Sequence, residues 1–221
     1  MIKFEEEMIE LKKKISEMST IVEEMIGKSI KGLKDRNMIL AQEVINSDNE
    51  VNNMEVEIDN LCIKILALYH PEAEDLRVVT MIMKINNDLE RIGDHAVSIA
   101  KMSIPLADKP HIKPLLDIQK MADKAIEMLK ESLDCFMKLD SEMAIRVCIK
   151  DDEVDSLEPQ IVRELMTFVM SDSQIIDRAL RLIFIARHLE RVADLATNIA
   201  EDAYYIATGK VLKHHQLSDM N

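Results

Sequence analysis

The feature that most constrains this chain is an internal repeat. Residues 86–100, NNDLERIGDHAVSIA, lie over residues 186–200, ARHLERVADLATNIA, at an offset of 100 with 7 of 15 positions identical. Upstream, residues 25–51 align without gaps on residues 128–154 at an offset of 103, sharing 7 of 27. That stretch includes DNEV at 48–51 against DDEV at 151–154. The difference in offset falls at one turn, HPEAED (70–75) against the shorter SDS (171–173). Two matched segments in one order, separated by one loop indel, point to a duplicated unit of supersecondary structure.

Each repeat is strongly helical in pattern. Val78, Ile82, Ile85, Leu89, Ile92, Ala96 and Ile99 step by 4 and 3, as do Leu182, Ile185, Leu189, Val192, Ala196 and Ile199. This alternation keeps one apolar seam on one side of a helix, the pattern of bundle helices packed at shallow angles. Only four glycines and five prolines interrupt the chain, and aromatics make up 3%. Strands favour aromatic and β-branched residues and need frequent turns, so an all-α fold is expected. Three of the five prolines fall in SIPLADKPHIKP (103–114), which reads as the connection between repeats. The expected organisation is a tandem of two three-helix bundles at 1–104 and 115–210, with a linker at 105–114 and a tail at 211–221. The coarse map places helices at 5–34, 36–46, 48–69 and 74–103, then at 114–139, 141–149, 152–170 and 173–209. The 16 methionines read as core filler.

Charge narrows the function. The net charge of −13 repels phosphate backbones and anionic lipid, which argues against direct nucleic-acid binding. No apolar run approaches the ~20 residues of a spanning helix, and the first residues lack the pattern of a signal peptide. Cys62, Cys135 and Cys148 are odd in number and unpaired in spacing, as expected of reduced thiols in the cytoplasm. Membrane association would then come only through partners. No phosphate loop, nucleophile elbow or zinc motif is present, so no enzyme activity is expected.

Acidic pairs recur instead. Glu90 and Asp94, and likewise Glu190 and Asp194, are four apart, so both carboxylates of each pair leave one helix face a turn apart. The seam through Leu89, Ile92 and Ala96 puts them on a flank near the surface. Glu55 and Asp59 form a second pair on the preceding helix. In repeat two Glu158 matches Glu55, Val162 stands where Asp59 would be, and Asp155 stands where repeat one has Asn52. Carboxylates from two adjacent helices supply hard oxygen ligands for iron, manganese, magnesium or calcium, and repeat one reads as the fuller set. His95, His188 and the His214–His215 pair are lesser ligand candidates. The competing reading of every acid is a solvated face, with Arg91 and Arg191 as ordinary ion-pair partners.

These residues resemble the PhoU family: NNDLERIGDHAVSIA with its echo HLERVADLATNIAEDAYYIATGK, then DNEVNNMEVEIDNL and HPEAEDLRVV, across nearly the whole length. The resemblance implies two three-helix bundles, usually homodimeric, in a cytosolic negative regulator of phosphate uptake and of the starvation response. It implies contact with the ATPase subunit of the high-affinity phosphate transporter and with a sensor histidine kinase. It also implies multinuclear iron or a similar metal at surface E/D-x-x-x-D motifs, here Glu90, Asp94, Glu190 and Asp194, with Glu55 and Asp59 beside the first. The rival is a carboxylate-bridged iron-storage or oxidase bundle. Such bundles place Glu-x-x-His in their core, whereas the third residue after Glu90 is Gly93 and after Glu190 is Ala193.

Overall fold

The structure is a computed structural model, and it describes residues 2–212. Six long helices carry the chain: α1 (Ile2–Asp35), α2 (Met38–Tyr69), α3 (Ala73–Ser103), α4 (Leu116–Lys138), α5 (Ser141–Ser171) and α6 (Ile176–Thr208). There is no strand among the described residues. Helices α1–α3 pack on one another as one bundle, and α4–α6 as a second. The bundles join along α3 and α6, with α1 against α4 beside them. Residues 104–106 form a 3₁₀ turn leading into the connection, where His111 reaches back to the Lys34 carbonyl.

The first hairpin of each repeat has one geometry. Arg36 and Leu139, both in the left-handed region at φ 52° and 55°, end α1 and α4. Asn37 and Asp140 then cap the next helix: Asn37 Oδ1 accepts from Ile39 N–H at 3.0 Å, and Asp140 Oδ1 from Met143 N–H at 2.9 Å. A side-chain oxygen there satisfies donors that the first helical turn leaves open, typically worth about 1 kcal/mol.

The expected breaks near residues 47 and 150 are absent: α2 and α5 each run unbroken. No glycine or proline lies at 46–48 or 149–152, and in α2 the polar residues return their hydrogen bonds along the helix. Ser47 Oγ donates to the Glu43 carbonyl, and Gln42 Nε2 to Asn46 Oδ1. The periodic seams form the core, with Ile58, Ile65, Ile82, Leu89, Ile92, Ile185, Leu189 and Ile199 fully buried. Methionine divides. Met18, Met25, Met121 and Met128 are core residues, but Met38, Met137, Met166 and Met170 are exposed, so the core-filler reading fails at those four. The three cysteines are buried free thiols, each pushed up to about 12 chiefly by burial, and so unreactive.

Candidate functional site

The seam between bundles brings the repeated acidic segments close together, because α3 and α6 cross there. In repeat two, Asp151 and Asp155 of α5 meet Asp194 of α6, and one oxygen from each lies within 4.8 Å of the others. Asp151 is buried while Asp155 and Asp194 are exposed, so the group opens to solvent on one side. Glu190 stands next to it. Burial raises its carboxyl above the usual range, and Asp194, Asp155 and Glu158 push it further in that order. Like charges disfavour one another, Arg191 offsets part of this at Glu190, and a hard cation with oxygen ligands would relieve the rest.

Repeat one carries matching acids with one substitution, but among the described residues only repeat two brings three carboxylates this close, so repeat one is not the fuller set that the sequence suggests. Burial raises the Glu90 carboxyl, followed by Asp94, Glu55 and Asp48. Asn52 fills the place of Asp155 and donates through Nδ2 to Asp48 Oδ2 at 3.5 Å. An amide therefore replaces one carboxylate, and the second repeat holds the more concentrated set. Asp48 and Asp151 were missed as site residues from sequence. Their signal was visible in the aligned DNEV and DDEV segments, the latter opening a second D-x-x-x-D at 151–155.

Other expected residues are placed differently. Asp59 accepts from Asn86 Nδ2 at 3.0 Å, and the same amide donates to the Glu55 carbonyl at 2.9 Å, which pins α2 to α3. Val162 and Ala186 occupy the matching positions of repeat two, so an apolar pair replaces a polar one. Glu158 pairs with Arg187 Nε at 3.3 Å. His214 and His215 lie outside the described residues.

His95 and His188 face each other across the seam, Nδ1 to Nδ1 at 3.1 Å. Burial lowers the His95 imidazole to about 4, with His188, Arg191 and Arg91 adding to it. His188 is lowered too, by burial and then Arg191. Both rings are therefore neutral near pH 7, one donating to the other. Beside them a cleft of about 670 Å³ is lined by Arg91, Asp94, His95, Asp151, Arg191 and Asp194 among others. The cleft carries carboxylates of both repeats and suits cations with oxygen ligands better than free anions.

Comparison with known proteins agrees with this architecture. The PhoU domain family matches residues 15–103 and again 118–203. The chain is 43% identical over 218 residues to the phosphate-specific transport system accessory protein PhoU homolog of Aquifex aeolicus, covering 99% of each. It is 35% identical over 211 residues to the accessory protein PhoU of Escherichia coli, covering 96% of this chain and 88% of that one. The crystal structure of PhoU from Pseudomonas aeruginosa superposes with a TM-score of 0.90 at 35% identity, covering 94% of this chain and 100% of that one.

Proposed function

Since the chain belongs to the PhoU family, we propose that it regulates phosphate transport, as an adaptor that restrains uptake and the starvation response when phosphate is plentiful. The observation that carries this reading is similarity to phosphate-specific transport accessory proteins over essentially the whole chain, both repeats included. The partners in this reading are the transporter ATPase subunit and the sensor histidine kinase, with the protein acting in the cytoplasm as a homodimer. No described helix is long and apolar enough to cross a membrane, so the regulator meets the membrane through those partners. Two helical bundles with carboxylate clusters, and no assembled nucleophile among the described residues, suit binding rather than catalysis.

The acidic clusters form part of the same proposal. Glu190, Asp194, Asp155 and Asp151 in repeat two, and Glu90, Asp94, Glu55 and Asp48 in repeat one, hold iron or another hard metal ion. Asp59 and Glu158 brace these sites through Asn86 and Arg187. The direct test is the output of a starvation-response gene such as alkaline phosphatase in a deletion strain grown on abundant phosphate. Constitutive output restored to repression by the wild-type gene is expected. Repression that persists in the deletion strain would overturn the regulator reading.

A further inference from the structure

In the seam cleft, equivalent positions of the two repeats meet. Arg91 and Arg191 are 100 residues apart, as are Asp94 and Asp194, and all four line the same opening of about 670 Å³. The carboxylates of Asp94, Asp151, Asp194 and Glu201 outnumber the two guanidinium groups there, so a free anion is repelled. A cation held by the acids reverses that balance. Asp151, Asp155 and Asp194 bring three carboxylate oxygens together, whereas hard cations take about six oxygen ligands or more. Positions on such a cation therefore stay open to other oxygens. Asp151 and Asp194 also line the cleft, so those positions are reached from it.

The arginines stand beside that place. Arg191 lines the cleft and also the adjoining hollow that holds Asp155, Glu190 and Asp194, so it borders the acidic cluster on both sides. Arg91 gives one Nη to Asp88 at 3.2 Å and is about half exposed, at 53%; its other N–H groups remain for a further acceptor. Exposed Asn198 adds an amide donor to the cleft wall, while the Thr197 hydroxyl is turned back to the Ala193 carbonyl. Hard cations and guanidinium groups share one preferred ligand, the phosphate group. Its several oxygens can meet the cation and both guanidinium groups at once, whereas a carboxylate runs out of oxygens.

We propose that the seam cleft binds inorganic phosphate together with a hard cation, the cation on Asp151, Asp155 and Asp194 and the phosphate between it and the guanidinium groups of Arg191 and Arg91. This rests on the metal reading above and adds a ligand whose abundance the regulator would report directly. The test uses the full chain with Mn²⁺ and radiolabelled inorganic phosphate in equilibrium dialysis, and Mn²⁺ affinity is measured separately by electron paramagnetic resonance without phosphate. Saturable retention of phosphate is expected with Mn²⁺, and retention roughly tenfold weaker or more without it. Phosphate should tighten Mn²⁺ binding by the same factor, because the two equilibria are linked. Arg191→Gln should weaken phosphate retention roughly tenfold or more and leave Mn²⁺ binding without phosphate undiminished, with Arg91→Gln a smaller loss of the same kind. Both arginines are exposed, so these variants keep the fold, which circular dichroism checks. Phosphate retained equally without Mn²⁺, or equally by Arg191→Gln and wild type, would overturn the proposal. So would sulfate retained as strongly as phosphate, which would mark an adventitious ion only. Equal retention of O-phosphoserine would overturn it too, by giving the cleft to a phosphoryl group on a partner. Mn²⁺ bound without any phosphate would sink this proposal alone, whereas no Mn²⁺ bound under either condition would sink the metal reading with it. The deletion phenotype decides the regulator reading separately.

Discussion

Repeat one and repeat two share a scaffold but not a chemistry. Positions that face the core are kept or exchanged between apolar residues: Val51 with Val154, Leu89 with Leu189, Ile92 with Val192, Ala96 with Ala196. Positions on the flanks diverge freely. Asn52 aligns with Asp155, Asp59 with Val162 and Lys84 with Phe184, while at the seam between bundles half-buried His95 aligns with buried Leu195. The helix-cap geometry at Asn37 and Asp140 is unaffected by this divergence. Burial therefore fixes the bundle, while the exposed sides of α2–α3 and α5–α6 are open to specialise. Each repeat serves as an internal control for the other, so substitutions that copy residues between them separate scaffold from function.

The largest effect is expected at the acidic clusters. Asp155→Asn gives repeat two the amide that repeat one has, and Asn52→Asp gives repeat one the third carboxylate. Affinity for hard cations rises with the number of charged oxygen ligands. Iron or manganese binding to the second repeat should fall roughly tenfold or more in Asp155→Asn, while Asn52→Asp strengthens the first, as measured by calorimetry and metal content. Equal metal content in wild type and Asp155→Asn would sink the difference in ligand sets and leave these acids as a solvated face.

Next comes the Asp59–Asn86 pair. Removing the amide in Asn86→Ala leaves the half-buried Asp59 carboxylate without that donor and should cost about 1–3 kcal/mol in denaturant unfolding. The double variant Asp59→Val/Asn86→Ala reproduces Val162 and Ala186, and should recover most of the loss because an apolar pair needs no hydrogen bond. A double variant as unstable as the single one would show that the two repeats are not interchangeable here.

Much of this was legible in the residues, for identifiable reasons. The 4-and-3 stepping of the seams located the core, because burial imposes that period directly. The stretch at 103–114 marked the joint because three prolines fall close together there, whereas the single Pro159 lies inside the unbroken α5. The short breaks expected near 47 and 150 were false, since polar residues alone do not stop a helix whose side chains bond back to it. Asp151 went unrecognised as a ligand candidate because its role depends on a neighbour about 40 residues away on α6. The His95–His188 contact was equally hidden, because it belongs to the packing of one repeat on the other and matches nothing within either.

That contact gives a smaller, pH-dependent effect. His95 is held at about 4 in the fold, below its ordinary value near 6.5. A depressed histidine favours the folded state while neutral, so its contribution is complete above about pH 6.5 and lost as pH falls toward 4. Asp88 on the same helix works the other way, since burial raises it to about 6, and this flattens the total curve. The difference between wild type and His95→Leu, which copies Leu195, isolates the histidine. The wild type should lose melting temperature relative to His95→Leu between pH 6.5 and 4, and parallel curves would refute the buried neutral pair.

The smallest effect concerns the one helical glycine of the seam. Gly93 packs where a Cβ would stand 3.4 Å from Val51 Cγ1 and 3.9 Å from the Met25 methyl, which is ordinary contact distance. Repeat two carries Ala193 at the matching position, fully buried and without disturbance of its bundle. A glycine inside a helix costs about 0.5–1 kcal/mol relative to alanine through the freedom it retains when unfolded. Gly93→Ala should therefore raise stability by about 0.5 kcal/mol or slightly more, after a few tenths of crowding against Val51 are subtracted. A clear loss of stability would mean that α2 and α3 approach more closely than α5 and α6. The glycine would then mark a real difference in packing between the two bundles, in addition to the difference in their exposed chemistry.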